Sequence, residues 1–365
     1  MHGFTTRANL RPSWPPTLRP ASGQTSDPGP GQTSGQASRP SWRGVAARAA
    51  WAVSMLLATA LTPALAADAF PSKTIKLILP FSAGGGTDES SRALADELQK
   101  ILKVPVIAEN KPGASGAIAV QTVKMAPADG HTLLIATNSL VAVNPVVVKN
   151  LGYDPFKDLT PVHGITVSPP VVSGPLNSPY SSMKDALLKA KASGTPLKIG
   201  NYSQGYELLA AWVGSLEGVS IIHVPYKGPS NMLVDLVGGQ LDFAISDPAS
   251  ALELVKGGKI KASAIGADKR DPTMPDTPTM KELGYKDFES YVWASVFVKA
   301  GTPPDVLNKL AQAIDQANRS PVMEARRAGR PGQRMDMSLG EMGKFQRQEY
   351  ERFRKVAKAT NYQAK

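Results

Sequence analysis

The stretch LILPFSAGGGTDESSRAL, residues 77–94, sets three consecutive glycines between a short apolar run and a segment with helical spacing. An apolar run, a glycine-rich turn and a helix start in that order describe the first strand–loop–helix unit of an α/β fold. The loop lacks the G-x-G-x-x-G spacing and carries no Gly-Lys-Ser/Thr, so neither phosphate-cradle motif is met. Gly84, Gly85 and Gly86 nevertheless let main-chain N–H groups approach an anion closely, and a helix opening near Thr87 adds the positive end of its dipole. The alternative reading is a tight turn with Thr87 or Asp88 as the helix cap. One helix terminus contributes about 0.3–1 kcal/mol, up to about 2, whereas taking a carboxylate out of water costs several kcal/mol. An anion site here needs further donors.

Outward from this unit the same grammar repeats. Leu94, Leu98, Ile101 and Leu102 mark one face of a helix. Strands over 74–79, 104–108 and 131–136 accompany a helix over 117–125. After a looser stretch, helices over 182–192, 206–216, 230–237 and 249–256 alternate with strands over 197–199, 220–224, 241–245 and 259–265. Such alternation predicts parallel sheets covered by helices, and two sets predict two lobes. From Tyr291 the run YVWASVFVKA reads as a strand entering a helix near Thr302-Pro303, followed by amphipathic segments near 321–328 and 338–359.

The first 66 residues read differently. Met1 to about Pro40 is rich in Pro, Gly, Ser and Thr, too poor in aliphatics to bury a core. Arg39, Arg43 and Arg48 then precede an apolar stretch, Ala49 to Leu61, and Ala64-Leu65-Ala66: a basic, apolar, small-x-small order that reads as a secretory signal peptide cleaved after Ala66. The apolar stretch is shorter than the roughly 20 residues a spanning helix needs. Its position 40 residues into the chain places the expected start codon downstream of Met1. Removing residues 1–66 takes away six arginines and one aspartate, so the formal charge falls from +11 to +6. Without Lys/Arg blocks or interleaved aromatics, this surplus points away from nucleic acid. With no cysteine there is no disulfide framework and no thiolate metal site, a composition that suits an exported bacterial protein of the periplasm.

In parallel α/β sheets ligands sit beyond the carboxyl ends of the strands, and four loops fit: 81–88, 137–139, 200–206 and 246–248. The candidate ligand-binding residues of the first are Phe81, Ser82, Gly84, Gly85, Gly86, Thr87 and Asp88. The second supplies Thr137, Asn138 and Ser139, the third Asn201, Tyr202, Ser203, Gly205 and Tyr206, and the last Asp247. None of these loops contains arginine. A bound carboxylate is therefore expected to be held in a guanidinium-free cleft by amides and hydroxyls, each bond to a charged group contributing about 1.5–3 kcal/mol. Asp88 reads as a helix cap, because a negative group beside an anion site is unfavourable. Asp247, before Pro248, is either a cap or the partner of a ligand ammonium or hydroxyl. Lys227 either guards the cleft or is a solvated loop lysine. His131, His163 and His223 are scattered without ligand spacing and read as structural. No cofactor and no metal is expected.

FPSKTIKLILPFSAGGGTD, AENKPGASGAIA, APADGHTLLIATNS, YDPFKDLTPV, HVPYKGPS, LVGGQLDFAISDPAS, IKASAIGADKR, PDTPTMKELGY and KAGTPPDVLNKL, in this order and spacing, resemble the Bug family, the extracytoplasmic solute receptors of tripartite tricarboxylate transporters. The resemblance runs from Phe70 to the C-terminus. It implies a type II periplasmic binding fold, with lobe 1 over 68–168 and 293–365, lobe 2 over 169–292, and two strands crossing the hinge. It further implies a periplasmic, monomeric receptor, not an enzyme, that passes a small organic acid to membrane permease subunits. One ligand carboxylate would be gripped by the first-lobe loops, partly through water. IGNYSQGYELLA, 199–210, departs from the Ser/Gly-rich form common at that place in the family, so Tyr202 and Tyr206 either face the distal half of the ligand or pack under the helix. The rival class is a secreted hydrolase with Ser82 or Ser203 as nucleophile, but no G-x-S-x-G elbow accompanies either. A transcription-regulator effector lobe shares the fold, and export argues against it.

Overall fold

The computed structural model describes residues 70–363 apart from Asp287. The leader and signal-peptide readings lie outside the described residues. The described chain holds two sheets. The first sheet orders its strands, by residue number, as 333–334, 159–168, 292–299, 132–137, 75–79 and 106–110, and the second as 221–225, 197–201, 243–246, 171–175 and 260–265.

The first sheet is built from β1 (Ile75–Leu79), β2 (Val106–Asn110), β3 (Thr132–Thr137), β4 (Leu159–Ser168), β10 (Val292–Lys299) and the short β11 (Gln333–Arg334). Ile75, Leu77, Ile78 and Leu79 are all buried and Lys76 alone is exposed, which is why β1 is apolar on both sides: helices cover both faces of its sheet. The glycine-rich loop leads into α1 (Gly86–Leu102), whose Leu94, Leu98 and Leu102 face the core. Then come α2 (Ala117–Met125), a π-helical turn at Ser139–Val143 and the short α3 (Asn144–Val147). The second sheet contains β5 (Val171–Pro175), β6 (Leu197–Asn201), β7 (Ile221–Pro225), β8 (Phe243–Ser246) and β9 (Ile260–Ile265). It alternates with α4 (Met183–Ser193), α5 (Gln204–Ser215), α6 (Pro229–Val237) and α7 (Pro248–Lys256). Ser182, Ser203 and Asp247 cap α4, α5 and α7 by accepting a backbone N–H three residues on. After β10 the chain returns to the first sheet with α8 (Pro304–Asn318), α9 (Pro321–Arg327) and α10 (Leu339–Ala359).

The expected parallel sheets are in fact mixed. β10 runs antiparallel to β3 and β4, and β5 runs antiparallel to β8 and β9. These strands carry the chain from one sheet to the other, out through Ser168–Val171 and back through the segment between β9 and β10. β4 and β5 fall in the stretch that shows no periodicity. Pro161 and Gly164 interrupt β4, its register against β10 shifts twice, and Pro169-Pro170 separates it from β5. The two crossings lie side by side: Gly266 N–H donates to the Pro170 carbonyl and Ser290 N–H to the Gly266 carbonyl, each at 3.0 Å. A Cβ on Gly266 would sit 3.0 Å from Pro170 and 3.1 Å from the Ser290 carbonyl, so the pair packs backbone to backbone.

The π-helical turn after β3 is anchored from behind. Tyr153, buried, donates its hydroxyl to the Leu140 carbonyl at 2.8 Å and accepts from Asn144 Nδ2 at 3.0 Å. Burial raises the phenol above its ordinary pKa, partly offset by the Asn144 bond, so it stays a donor throughout the accessible range. Tyr153→Phe should leave the Leu140 carbonyl without this donor and cost about 1–3 kcal/mol of unfolding free energy. Urea denaturation checks this, and an unchanged midpoint would remove the anchor from the account.

Candidate functional site

The glycine loop faces the second sheet's helices. Gly85 is the N-cap residue of α1 and has no side chain to cap with; the Gly86 N–H instead donates to Ser250 Oγ of α7 at 2.9 Å. Ser250 Oγ donates in turn to Asp247 Oδ2 at 2.6 Å, and the same oxygen accepts the Tyr202 hydroxyl at 2.8 Å. Asp247 Oδ1 meanwhile accepts Ser250 N–H at 3.0 Å. Asp247 is thus the cap of α7 and also a link in a chain that runs from α1 beside the first sheet to Tyr202, the residue after β6 of the second. Three more bonds cross the same seam: Ser82 N–H to the Lys227 carbonyl at 3.1 Å, Ser230 Oγ to the Ala83 carbonyl at 3.1 Å, and Ser139 Oγ to Ser203 Oγ at 2.9 Å.

Glycine is required at this seam by approach distance. A Cβ on Gly85 would lie 2.6 Å from Pro229 Cγ, and one on Gly86 would lie 2.5 Å from Asp247 Oδ1 and 2.8 Å from Ala249 Cβ. Gly205 abuts Ser139, and Gly228 abuts Ser82. Only Gly84 also needs its glycine for conformation, at φ +87°.

Asp88 sits below the loop. It accepts Gly84 N–H at 3.2 Å, Asn110 Nδ2 at 2.9 Å and the Arg92 guanidinium at 2.9 and 3.2 Å. Burial alone would raise this carboxyl, but the bonds from Arg92, Asn110 and Gly84 outweigh it and hold it below the ordinary range. Neither Asp88 nor Thr87 is the N-cap of α1. Asp88 stands three residues inside the cap position and braces the loop from within.

Two cavities open along the seam. The smaller, about 10 Å³, is walled by Phe81, Ser82, Gly85, Thr87, Asp88, Tyr202 and Asp247 with Asn110 and Pro229; it has room for about one water. The larger, about 100 Å³, is of ligand size. Its polar wall contains Thr87, Thr137, Asn138, Ser139 and Ser203, and its aromatic part Phe81, Tyr202, Tyr206 and Trp293. Gly86 and Asp247 reach it too. Thr137 Oγ1 is buried without a protein hydrogen-bond partner. Tyr202 and Tyr206 are almost fully buried yet contribute to the wall, their rings 4.8 Å apart and Tyr202 edge-on to Phe81 at 5.1 Å. Burial, then the Asp247 charge, pushes both phenols well above their ordinary value, so they act as neutral donors. Gly84, Asn201 and Gly205 lie outside both walls; the buried Asn201 Nδ2 has no hydrogen-bond partner.

A sequence model of the tripartite tricarboxylate transporter family receptor matches residues 90–362. BugT of Bordetella pertussis is 32% identical over 273 residues, covering 73% of this chain and 83% of its own. Among solved structures, the periplasmic binding protein BugD is 28% identical with a TM-score of 0.75, covering 80% of this chain and 99% of that one. MatC from Rhodopseudomonas palustris with bound malate is 28% identical with a TM-score of 0.75, covering 79% and 99%. A further R. palustris protein, with adipate, is 30% identical with a TM-score of 0.75, covering 80% and 98%. The chain belongs to this receptor family. Its fold is that of the type II periplasmic binding proteins, and the family and its structural neighbours are binding proteins rather than enzymes.

The cleft of this receptor is not free of guanidinium groups. Arg326, Arg327 and Arg330, at the end of α9 and in the turn after it, line the larger cavity, as do Ile165, Thr166 and Ser168 of β4 and Val292, Trp293 and Ala294 of β10. Reading only the ends of parallel strands misses them. β10 runs against its neighbours, so its first residues lie beside the last of β3, Ala294 opposite Thr137, and α9 arrives from the far end of the chain. The crowd of arginines in MEARRAGRPGQR was the available signal. Of the serines in the rival hydrolase reading, Ser203 caps α5 and accepts from Ser139, while His131 and His163 are tied to Ser72 and Asp129, and to Gly164 and Asp315. Among the described residues no group of three or more His, Cys, Asp or Glu is placed to hold a metal ion.

Because the folded Asp88 carboxyl ionises below its ordinary value, its bonds contribute stability that is complete above about pH 4 and is lost as pH falls through the depressed folded value. Asp88→Asn should cost about 1–3 kcal/mol at neutral pH. On acidification below about pH 4 its unfolding free energy should fall less steeply than that of the wild type. Parallel curves from denaturant titrations across that range would contradict the bracing role.

Proposed function

We propose that the chain is an exported, monomeric periplasmic receptor. It captures one small organic acid between two hinged lobes and presents it, chemically unchanged, to the membrane subunits of a tripartite tricarboxylate transporter. The carrying observation is the larger cavity: a ligand-sized space with wall residues from both sheets, closed along its seam by direct hydrogen bonds. We assign lobe 1 to 68–168 and 293–365 and lobe 2 to 169–292, with the paired crossings at Pro170 and Gly266 as the hinge. One further observation supports this reading: two structural neighbours, matched over nearly their whole length, carry malate and adipate.

In the proposed grip, one ligand carboxylate takes the buried hydroxyl of Thr137 with those of Ser203 and Tyr206 near it, the Ser139 and Tyr202 protons being already given to Ser203 and Asp247. Several bonds of about 1.5–3 kcal/mol each offset the several kcal/mol of desolvation where one helix terminus does not. Closing is a hinge motion whose two states differ in ligand contacts. The seam bonds give the closed state contacts of its own, and Ser250 already occupies the Gly86 N–H there. The glycine loop therefore serves first to let the lobes meet and only secondarily to meet an anion.

Calorimetric titration with malate and adipate is expected to give one site per chain, with the acid recovered unaltered. Gly85→Val, which sets a branched side chain against Pro229, should keep the apo melting temperature within a few degrees while weakening binding at least tenfold. Turnover of the acid would overturn the receptor reading. Undiminished binding by the variant would take lobe closure at this seam out of it.

A further inference from the structure

One edge of the ligand-sized cavity is cationic in a way the βα loops are not. Arg326 and Arg330 both line it, and both side chains are 36% exposed, which puts them where the cavity meets solvent. Their ion-pair partner is a single carboxylate oxygen, Glu89 Oε2 near the start of α1, at 3.4 Å from Arg326 Nη2 and 2.9 Å from Arg330 Nη1. A guanidinium carries five N–H donors in a planar fork, and these contacts use one on each. The third arginine is differently placed: Arg327 is spent on Asn318 and Glu324. Two cations against one shared carboxylate leave a positive surplus. The one acid in the cavity wall, Asp247, is already bonded to Ser250 and Tyr202. The remaining polar wall is uncharged and includes the unpartnered hydroxyl of Thr137, while Trp293 and Met323 supply apolar surface to the same space.

We propose that Arg326 and Arg330 form the specificity-determining subsite for the distal carboxylate of the ligand. One carboxylate sits on the hydroxyl wall, the other on the arginine pair, and the apolar spacer lies against Trp293 and Met323. This rests on the receptor reading above and names the residues that would select a diacid over a monoacid within it. Guanidinium and carboxylate match as parallel two-bond pairs, and the pair gains nothing from a methyl group at the same place, so the subsite discriminates a diacid from the monoacid of equal length.

The test compares succinate with butyrate and adipate with hexanoate by calorimetry, on the wild type and on two double variants, Arg326→Gln/Arg330→Gln and Arg326→Lys/Arg330→Lys. The wild type should bind at least one diacid tenfold or more tighter than its monoacid, with the preference shrinking as NaCl rises. The Gln variant should bind both members of that pair at the monoacid level. The Lys variant, which keeps the charge and loses the fork, should retain a reduced, salt-sensitive preference, and it carries the test should the Gln variant not fold. Equal binding of diacid and monoacid by the wild type, or a full preference surviving in either variant, would overturn the subsite alone. Failure of the wild type to bind any of the four acids would overturn the receptor reading and the subsite with it.

Discussion

The structure turns on one backbone amide. The Gly86 N–H at the head of α1 has no cap from its own loop and takes one from Ser250 of the other sheet, which hands the bond on to Asp247 and, through it, to Tyr202. A helix that leaves its first amides unpaired must find acceptors elsewhere, and here the acceptor belongs to the opposing half. That single exchange explains two of the three adjacent glycines, Gly84 being needed instead for its φ of +87°. The amide can reach Ser250 only if Gly85 and Gly86 carry nothing that collides with Pro229, Asp247 and Ala249.

The same constraint shapes the cavity. With the first loop pressed against α6 and α7, the space left over lies to the side, along the end of β3, the end of β4 and the beginning of β10. There Thr137, Ser139, Trp293 and the α9 arginines share a wall. The smaller space beneath the loop, braced by Asp88, Asn110 and Arg92, has room for about one water and serves rigidity. Phe81 and Tyr202 line both spaces, so the seam is narrow near α1 and roomy towards β10.

Much of this was legible in the residues alone. Helix and strand positions from β1 to β3, and from α4 to α10 apart from the two-residue β11, follow the periodicities closely, because each of these helices has an apolar face and most have a Ser, Asp or Pro at the start. The two sheet-crossing strands β4 and β5 were hidden, since Pro161, Gly164 and the Pro169-Pro170 step break the period that would announce them. Their antiparallel pairing turned an expected parallel sheet into a mixed one. Within the site, the four βα loops do converge, and Asp247 is visible as a cap before Pro248. The role of the glycines was half visible: the spacing gives close approach, but what approaches is Pro229 and Asp247, some 140 to 160 residues on, which local sequence does not encode. The arginines were missed for the same reason, because α9 meets α1 only through the return of the chain along β10.

The most direct check on the central claim is a crystal structure of the receptor grown with a four- to six-carbon dicarboxylic acid. The account predicts ligand density in the space between Thr137 and Arg326, with the Gly86–Ser250 bond kept. Density for the acid on another surface, with that space holding only water, would contradict it.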